Sequence, residues 1–320
     1  MCRMLGMVLS PESPASDDSK AADAKRASAA LPSWEHLVHA PNSLRAQAET
    51  GQVPLGESEG HEDSWGVGWF DDAGQVSLLR QTGSAADSAF FVFASEAAAR
   101  TQAGSGPATA LIGHLRKASC GVVTSENAHP IRADYRPGST DEDEDGDARS
   151  GSYESILVAH NGTLRKPLLD LIRTDLQKAR RTEAGSDSDS VALAGWLAYR
   201  LSVSTEESVF AGLSAALSEL FRAADDASEG DRTRAYSAVN LLITHTSGLF
   251  ALRQFSREPD YYTLSARPLQ KGNDEADGWI VASEATDASG RWTPLMPGML
   301  NFYPAQGVSG AAQTLQVAVN

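Results

Sequence analysis

Apolar residues in this chain recur with two periods, and the alternation between them divides the sequence into strands and helices. Residues 3–9 form an apolar run long enough for a buried strand. Trp34, Leu37 and Val38 stand at i, i+3 and i+4 and predict a helix that packs one face and ends at Pro41. Residues 64–70, Ser-Trp-Gly-Val-Gly-Trp-Phe, are β-prone. They turn through Asp71-Asp-Ala-Gly into a strand over 75–80, which predicts a hairpin. A helix over 87–100 carries Phe90, Phe91, Phe93 and Ala94 as a broad apolar face, and a buried strand covers 109–115. Residues 155–164 read as a strand ending in a tight Asn-Gly turn. Amphipathic helices follow over 164–180, 190–203 and 206–224, and the Ser/Asp cluster before the second supplies an N-cap. Strands return over 238–245, 249–255, 261–266 and 279–283, with one or two more before the end. Strands at both ends with helices between them predict two stacked sheets flanked by helices.

The polar stretches carry less. Residues 10–30 read as a loop or weak helix. Residues 139–152, rich in Asp and Glu, read as a solvated, disordered insertion. No apolar run reaches the length of a membrane span and no secretory signal opens the chain, so a cytoplasmic protein is expected. A formal charge of −15 over 320 residues disfavours nucleic acid and anionic membrane as partners. Lysine supplies six of the 27 basic residues, and this acidic, lysine-poor surface is the kind that salt screening favours, suggesting a halophilic origin. Two cysteines, Cys2 and Cys120, exclude a disulfide framework, and Cys120 reads as a small buried residue. The seven histidines lack metal-ligand spacing, so neither a catalytic metal nor any other cofactor is expected.

The chemistry begins at Cys2. Removal of Met1 would place a thiol and a free α-amine on one residue, and an amine titrating near ~8 can take the thiol proton. Four further stretches follow: Gly113-His-Leu-Arg-Lys-Ala-Ser, Glu126-Asn-Ala-His-Pro, Ala159-His-Asn-Gly-Thr-Leu and Ser188-Asp-Ser-Val-Ala-Leu. With Met1-Cys-Arg-Met-Leu-Gly, Ser64-Trp-Gly-Val-Gly-Trp and the late Val281-Ala-Ser-Glu, this ordered set resembles the class II glutamine amidotransferases, which are N-terminal-nucleophile (Ntn) hydrolases.

The resemblance implies an α+β fold, a four-layer αββα sandwich of two mainly antiparallel sheets, with residues 2–320 as a single domain. It implies Cys2 as nucleophile, with the Asn161 side-chain NH₂ and the Gly162 backbone N–H as oxyanion donors. Arg116 would clamp the substrate α-carboxylate, and an aspartate of the Ser-Asp-Ser run the α-ammonium. Asp187 and Asp189 both satisfy that pattern; Asp189, which leads straight into the helix, is preferred. Trp65 and His129 match positions that frame the site, as structural or pocket-wall residues, while His61, His114 and His160 read as hydrogen-bonded near-core histidines. Relatives often carry Asp-Gly-Trp-Gly where this chain has Asp63-Ser-Trp-Gly, which leaves the geometry at Ser64 open. The expected reaction is hydrolysis of glutamine or another γ-glutamyl amide, as in the stand-alone amidohydrolases of ergothioneine and γ-glutamyl peptide metabolism. Two alternatives stand beside it: a glutaminase subunit passing ammonia to a separate synthetase, and a non-catalytic γ-glutamyl-binding protein. The small-molecule substrate is the expected partner; a homo-oligomer or a synthetase partner stays open.

Overall fold

The computed structural model describes residues 2–9, 34–54, 56–71, 73–102, 110–118, 122–139, 152–179, 187–270, 276–305 and 312–318. Cys120 and nearly all of the acidic stretch 139–152 lie outside the described residues, as do residues 10–30.

Strands β1 (Arg3–Leu9), β2 (Ser64–Phe70), β3 (Val76–Thr82), β4 (Ala110–Arg116), β9 (Ser265–Gln270), β10 (Ala276–Ala282) and β11 (Thr293–Pro294) form one sheet, ordered β11-β9-β10-β1-β4-β2-β3. Strands β5 (Ile131–Tyr135), β6 (Glu154–Leu164), β7 (Tyr236–His245), β8 (Gly248–Leu252), β12 (Met299–Pro304) and β13 (Gln313–Gln316) form the other, ordered β13-β12-β8-β7-β6-β5. Every pairing between these strands is antiparallel.

The strand alternation explains the layers. On β1, Leu5 and Met7 join a core with Leu37, Leu44, Phe91 and Leu115, under the outer helices α1 (Leu44–Thr50) and α2 (Ala89–Gln102). Met4 and Val8 point the other way, into a core with Leu157, Ala159, Leu242 and Leu249 of the second sheet. Beyond that sheet, Ile156, Val158 and Ile243 pack against α3 (Lys166–Lys178), α4 (Asp189–Ser202) and α5 (Val209–Ser228). Buried on both faces, the central strands lack polar alternation, and the result is the αββα sandwich.

Several elements differ from the sequence reading. The predicted helix at Trp34 is a single wide turn, Glu35–His39, while α1, β5 and three closing strands in place of one or two are additions. Of the four residues read as the apolar face of α2, Phe91 and Ala94 are buried, whereas Phe90 and Phe93 are 64% and 59% exposed. One face suffices to cover a sheet, so the other two phenylalanines stay outside. The expected strand over 261–266 begins instead at Ser265; Tyr261 and Tyr262 precede it as buried loop residues. No turn interrupts Asn161-Gly162: β6 runs through it, paired with Asn240 and Val239 of β7, and is irregular only between Gly162 and Leu164.

Candidate active site

The site lies where the first residues of β1 meet the end of β6. Cys2 immediately precedes β1 and is 7% exposed. β1 is central to its sheet, between β10 and β4, so its start is fixed by strand registers on both sides. The Cys2 backbone N–H donates to Asn161 Oδ1 at 3.1 Å, a bond reaching from one sheet to the other. That bond fixes the carboxamide. With Oδ1 committed, the Asn161 NH₂ is buried and has no partner in the protein, a donor left available as an oxyanion site requires. Asn161 stands on the inter-sheet side of β6 because Leu157 and Ala159 do, four and two residues earlier.

Gly162 follows at φ +151°, and a Cβ there would lie 1.9 Å from the Ala238 carbonyl oxygen. No side chain fits this position. Gly162 lines a small cavity with Cys2, Arg116, Lys117, Ala118, His129, His160, Ser188, Asp189 and Ser190. Sequence-distant candidates thus converge: Cys2, Arg116, His129, Gly162 and Asp189 share one cavity, with Asn161 bonded to Cys2 beside it.

Arg116, the last residue of β4, is 5% exposed, and its Nη1 donates to the Val122 carbonyl at 3.2 Å. Asp189 is 7% exposed and opens α4. Its Oδ2 accepts the Leu164 N–H at 2.7 Å, tying the helix to the end of β6. The expected side-chain cap is missing: Ser188 occupies the N-cap position without a capping bond. Asp187 is exposed and outside the cavity, so burial separates the two candidate aspartates. A guanidinium and a carboxylate facing one cavity match the two charges of an amino acid.

His129 is buried, with neither ring nitrogen hydrogen-bonded to protein, and lies 4.4 Å from the His114 ring, centroid to centroid. His160 is hydrogen-bonded as expected, through Nδ1 to the Ser190 hydroxyl (3.0 Å) and Nε2 to the Ala238 carbonyl (3.3 Å). His61 and His114 are equally buried but make no well-formed side-chain bond. Burial, through loss of hydration, pushes His114, His129 and His160 below the ordinary histidine value, and His61 down to about 3. These rings are neutral, and the cavity's fixed charges come from Arg116, Lys117 and Asp189.

Trp65 is not in the cavity. It faces the outer helices, 1% exposed and edge-on to Phe91 at 5.3 Å, because β2 directs alternate side chains away from the inter-sheet space. Of the two roles open to it, the structural one fits. Ser64 enters β2 in regular register, opposite Thr82 on one side and Arg116 on the other, so the missing glycine leaves the pairing intact.

Two neighbours escaped the sequence reading. Lys117 Nζ bonds the Ser58 carbonyl, the Ser58 hydroxyl (3.1 Å) and the Gly60 carbonyl (3.2 Å), pinning the 56–60 loop beside the site. Arg3 donates to the Cys2 carbonyl at 3.0 Å. Both stand next to residues picked out by the motifs; only the folded geometry separates them from ordinary surface cations. Among the described residues no group of His, Cys, Asp and Glu is arranged to hold a metal, and no helix is long and apolar enough to cross a membrane.

A model of the glutamine amidotransferases class-II family matches residues 43–317. The chain belongs to that family. This makes it an amidohydrolase-type enzyme of the glutamine amidotransferase kind, although the matched segment starts after Cys2. Among solved structures it is similar to the allosteric regulatory enzyme of purine biosynthesis, at 16% identity and TM-score 0.57, over 100% of this chain and 50% of that one. It is also similar to the glutamine phosphoribosylpyrophosphate amidotransferase of B. subtilis, at 15% identity and TM-score 0.55, with the same coverage. A predicted glutamine amidotransferase from Pseudomonas aeruginosa matches at 14% identity and TM-score 0.43, over 97% of this chain and 95% of that one. The first two likenesses show a common Ntn-hydrolase fold, and this class-II chain spans about half the length of either relative. No curated protein matches it.

Proposed function

We propose that the protein hydrolyses glutamine or another γ-glutamyl amide through Cys2, exposed as the N-terminal residue by removal of Met1. The observation that carries this reading is the Cys2 N–H···Oδ1 Asn161 bond, which leaves the Asn161 NH₂ without a partner next to Cys2.

In this mechanism Arg116 takes the substrate α-carboxylate and Asp189 the α-ammonium, so the side-chain amide reaches Cys2. The α-amine accepts the thiol proton as Sγ attacks the carbonyl carbon. The resulting oxyanion is met by the Asn161 NH₂ and the Gly162 N–H. Collapse breaks the C–N bond, the amine returns the proton to the departing nitrogen, and ammonia or an amine leaves a γ-glutamyl thioester. Water, deprotonated by the same amine, attacks the thioester and releases glutamate and the thiol.

The test is glutamate release from glutamine and a panel of γ-glutamyl amides by wild type and Cys2→Ala, with mass spectrometry of the N-terminus. Release that requires Cys2 and a chain lacking Met1 supports the reading; equal release by Cys2→Ala overturns it. A second reading, that ammonia passes to a separate synthetase, is favoured by the double length of the structural relatives. It predicts release only when that partner is supplied.

A further inference from the structure

Arg3 is the most deeply buried cation described in this chain, at 0% exposure, and the mechanism above does not use it. Its guanidinium makes a different contact with each nitrogen. Nη1 donates to the Cys2 carbonyl at 3.0 Å, Nη2 to the Gln52 carbonyl, and Nε pairs with the Glu284 carboxylate. Its face lies 4.6 Å from the centre of the Tyr261 ring. The same Glu284 Oε1 accepts the Gln52 N–H at 2.7 Å. One ion pair therefore joins the start of β1, the segment after α1, the residues after β10 and the loop before β9.

Burying two charges is costly, and a packed apolar pair would serve stability as well. What an apolar pair cannot do is hold the Cys2 carbonyl. Cys2 is gripped at both backbone groups, its N–H by Asn161 of one sheet and its C=O by Arg3 of the other. The pair is also neutral overall, so it places no net charge next to the amine.

Resting on Cys2 as the nucleophile, we infer that Arg3 and Glu284 are positioning residues. They fix the backbone of Cys2, and their mutual neutralisation sets the electrostatic environment of its α-amine. The other charged or titratable groups around that amine are Arg116 at the end of β4 and Lys117 after it, His114 on β4, His61 before β2, His129 before β5, His160 on β6, Asp189 on α4, and Tyr261 and Tyr262 before β9. These residues are the same in every variant, and of them His61 and Tyr261 themselves feel the Arg3 charge.

The two members of the pair predict opposite effects. Glu284→Gln leaves the guanidinium uncompensated, disfavours the ammonium form and moves the acid limb of kcat/KM to lower pH. Arg3→Gln leaves the carboxylate, favours the ammonium and moves that limb to higher pH, each by roughly half a unit to one unit. Arg3→Lys keeps the charge but loses the three-way fork. It should leave the limb in place while lowering kcat by about tenfold or more at little change in KM.

The experiment is the pH profile of glutamate release for wild type, these three variants and Cys2→Ala, with a thermal melt of each. Opposite shifts, with the kcat-only loss in Arg3→Lys, support the inference. Shifts in one direction, no shift, or full activity in Arg3→Lys overturn it. Should Arg3→Gln fail to fold, the Glu284→Gln shift and the Arg3→Lys split decide by the same criteria. Activity surviving in Cys2→Ala would instead sink the nucleophile assignment, so the two failures are distinguishable.

Discussion

Lowering the pH from about 7.5 to about 5 should cost this protein several kcal/mol of stability through its buried histidines alone. His36 shows the origin. Its Nε2 accepts a hydrogen bond from Arg267 at 3.1 Å and its Nδ1 meets the Thr286 hydroxyl at 2.7 Å, so the ring has no place for a second proton. Burial and then the Arg267 charge hold it at about 4, while burial and the Arg3 charge hold His61 at about 3, against an ordinary 6.5. Between those values the unfolded chain binds a proton that the folded one refuses, and stability falls as pH falls through that window. It is complete above about pH 7. At roughly 1.4 kcal/mol per unit, each of the two rings costs about 2 kcal/mol by about pH 5, or about 4 together. His114, His129 and His160 act in the same direction. Against a typical total of about 5–15 kcal/mol this is a large fraction. Urea unfolding across the pH range, at fixed high salt to suppress changes in charge repulsion, measures it directly. A midpoint unchanged between about pH 7 and 5.5, or ring resonances of these five histidines titrating near the ordinary value, would refute the argument.

Other consequences are simpler to test. Asn161→Ala should lower kcat by about 10²–10³ with a smaller effect on KM, as loss of one oxyanion donor does. Asp189→Asn should raise KM strongly whereas Asp187→Asn, on an exposed residue outside the cavity, should leave both constants unchanged in steady-state assays. Trp65→Ala should cost about 3–5 kcal/mol in chemical denaturation, yet leave KM intact where the protein stays folded, since the indole lies in the outer core. With a net charge of −15, the melting temperature should rise with added salt as self-repulsion is screened.

The sandwich was legible because both periods were clear where burial is complete. β1 was read at its observed bounds, and α3 to α5 to within a few residues. Shorter elements were not legible: α1 has one buried leucine and a polar exterior, and β5 sits at a sheet edge with an exposed, polar centre. Asn161-Gly162 was misread as a turn because that dipeptide tolerates turn geometry anywhere. Only the pairing with β7 makes it strand. Motifs led to Cys2, Arg116, Gly162 and Asp189 because each is a chemically distinctive residue in a compact pattern. For Trp65 the sequence left a structural and a pocket-wall role open, since adjacency to a site-forming loop says nothing about which side of a sheet a residue takes. Its burial in the outer core favours the structural one. Arg3 and Lys117 carry no pattern of their own, and apart from the Arg3 bond to the adjacent Cys2 their partners lie 49 or more residues away.

The bond between Cys2 and Asn161 crosses from one sheet to the other over 159 residues of chain. On the proposed mechanism, neither sheet alone contains the reactive centre. By that mechanism, a nascent or partly folded chain carries a thiol without its oxyanion donors, however much of either sheet has formed, and turnover begins only when the two halves meet. Turnover becomes a gauge of sheet docking: in a denaturant series it should vanish with the inter-sheet core, even while helices and strands persist.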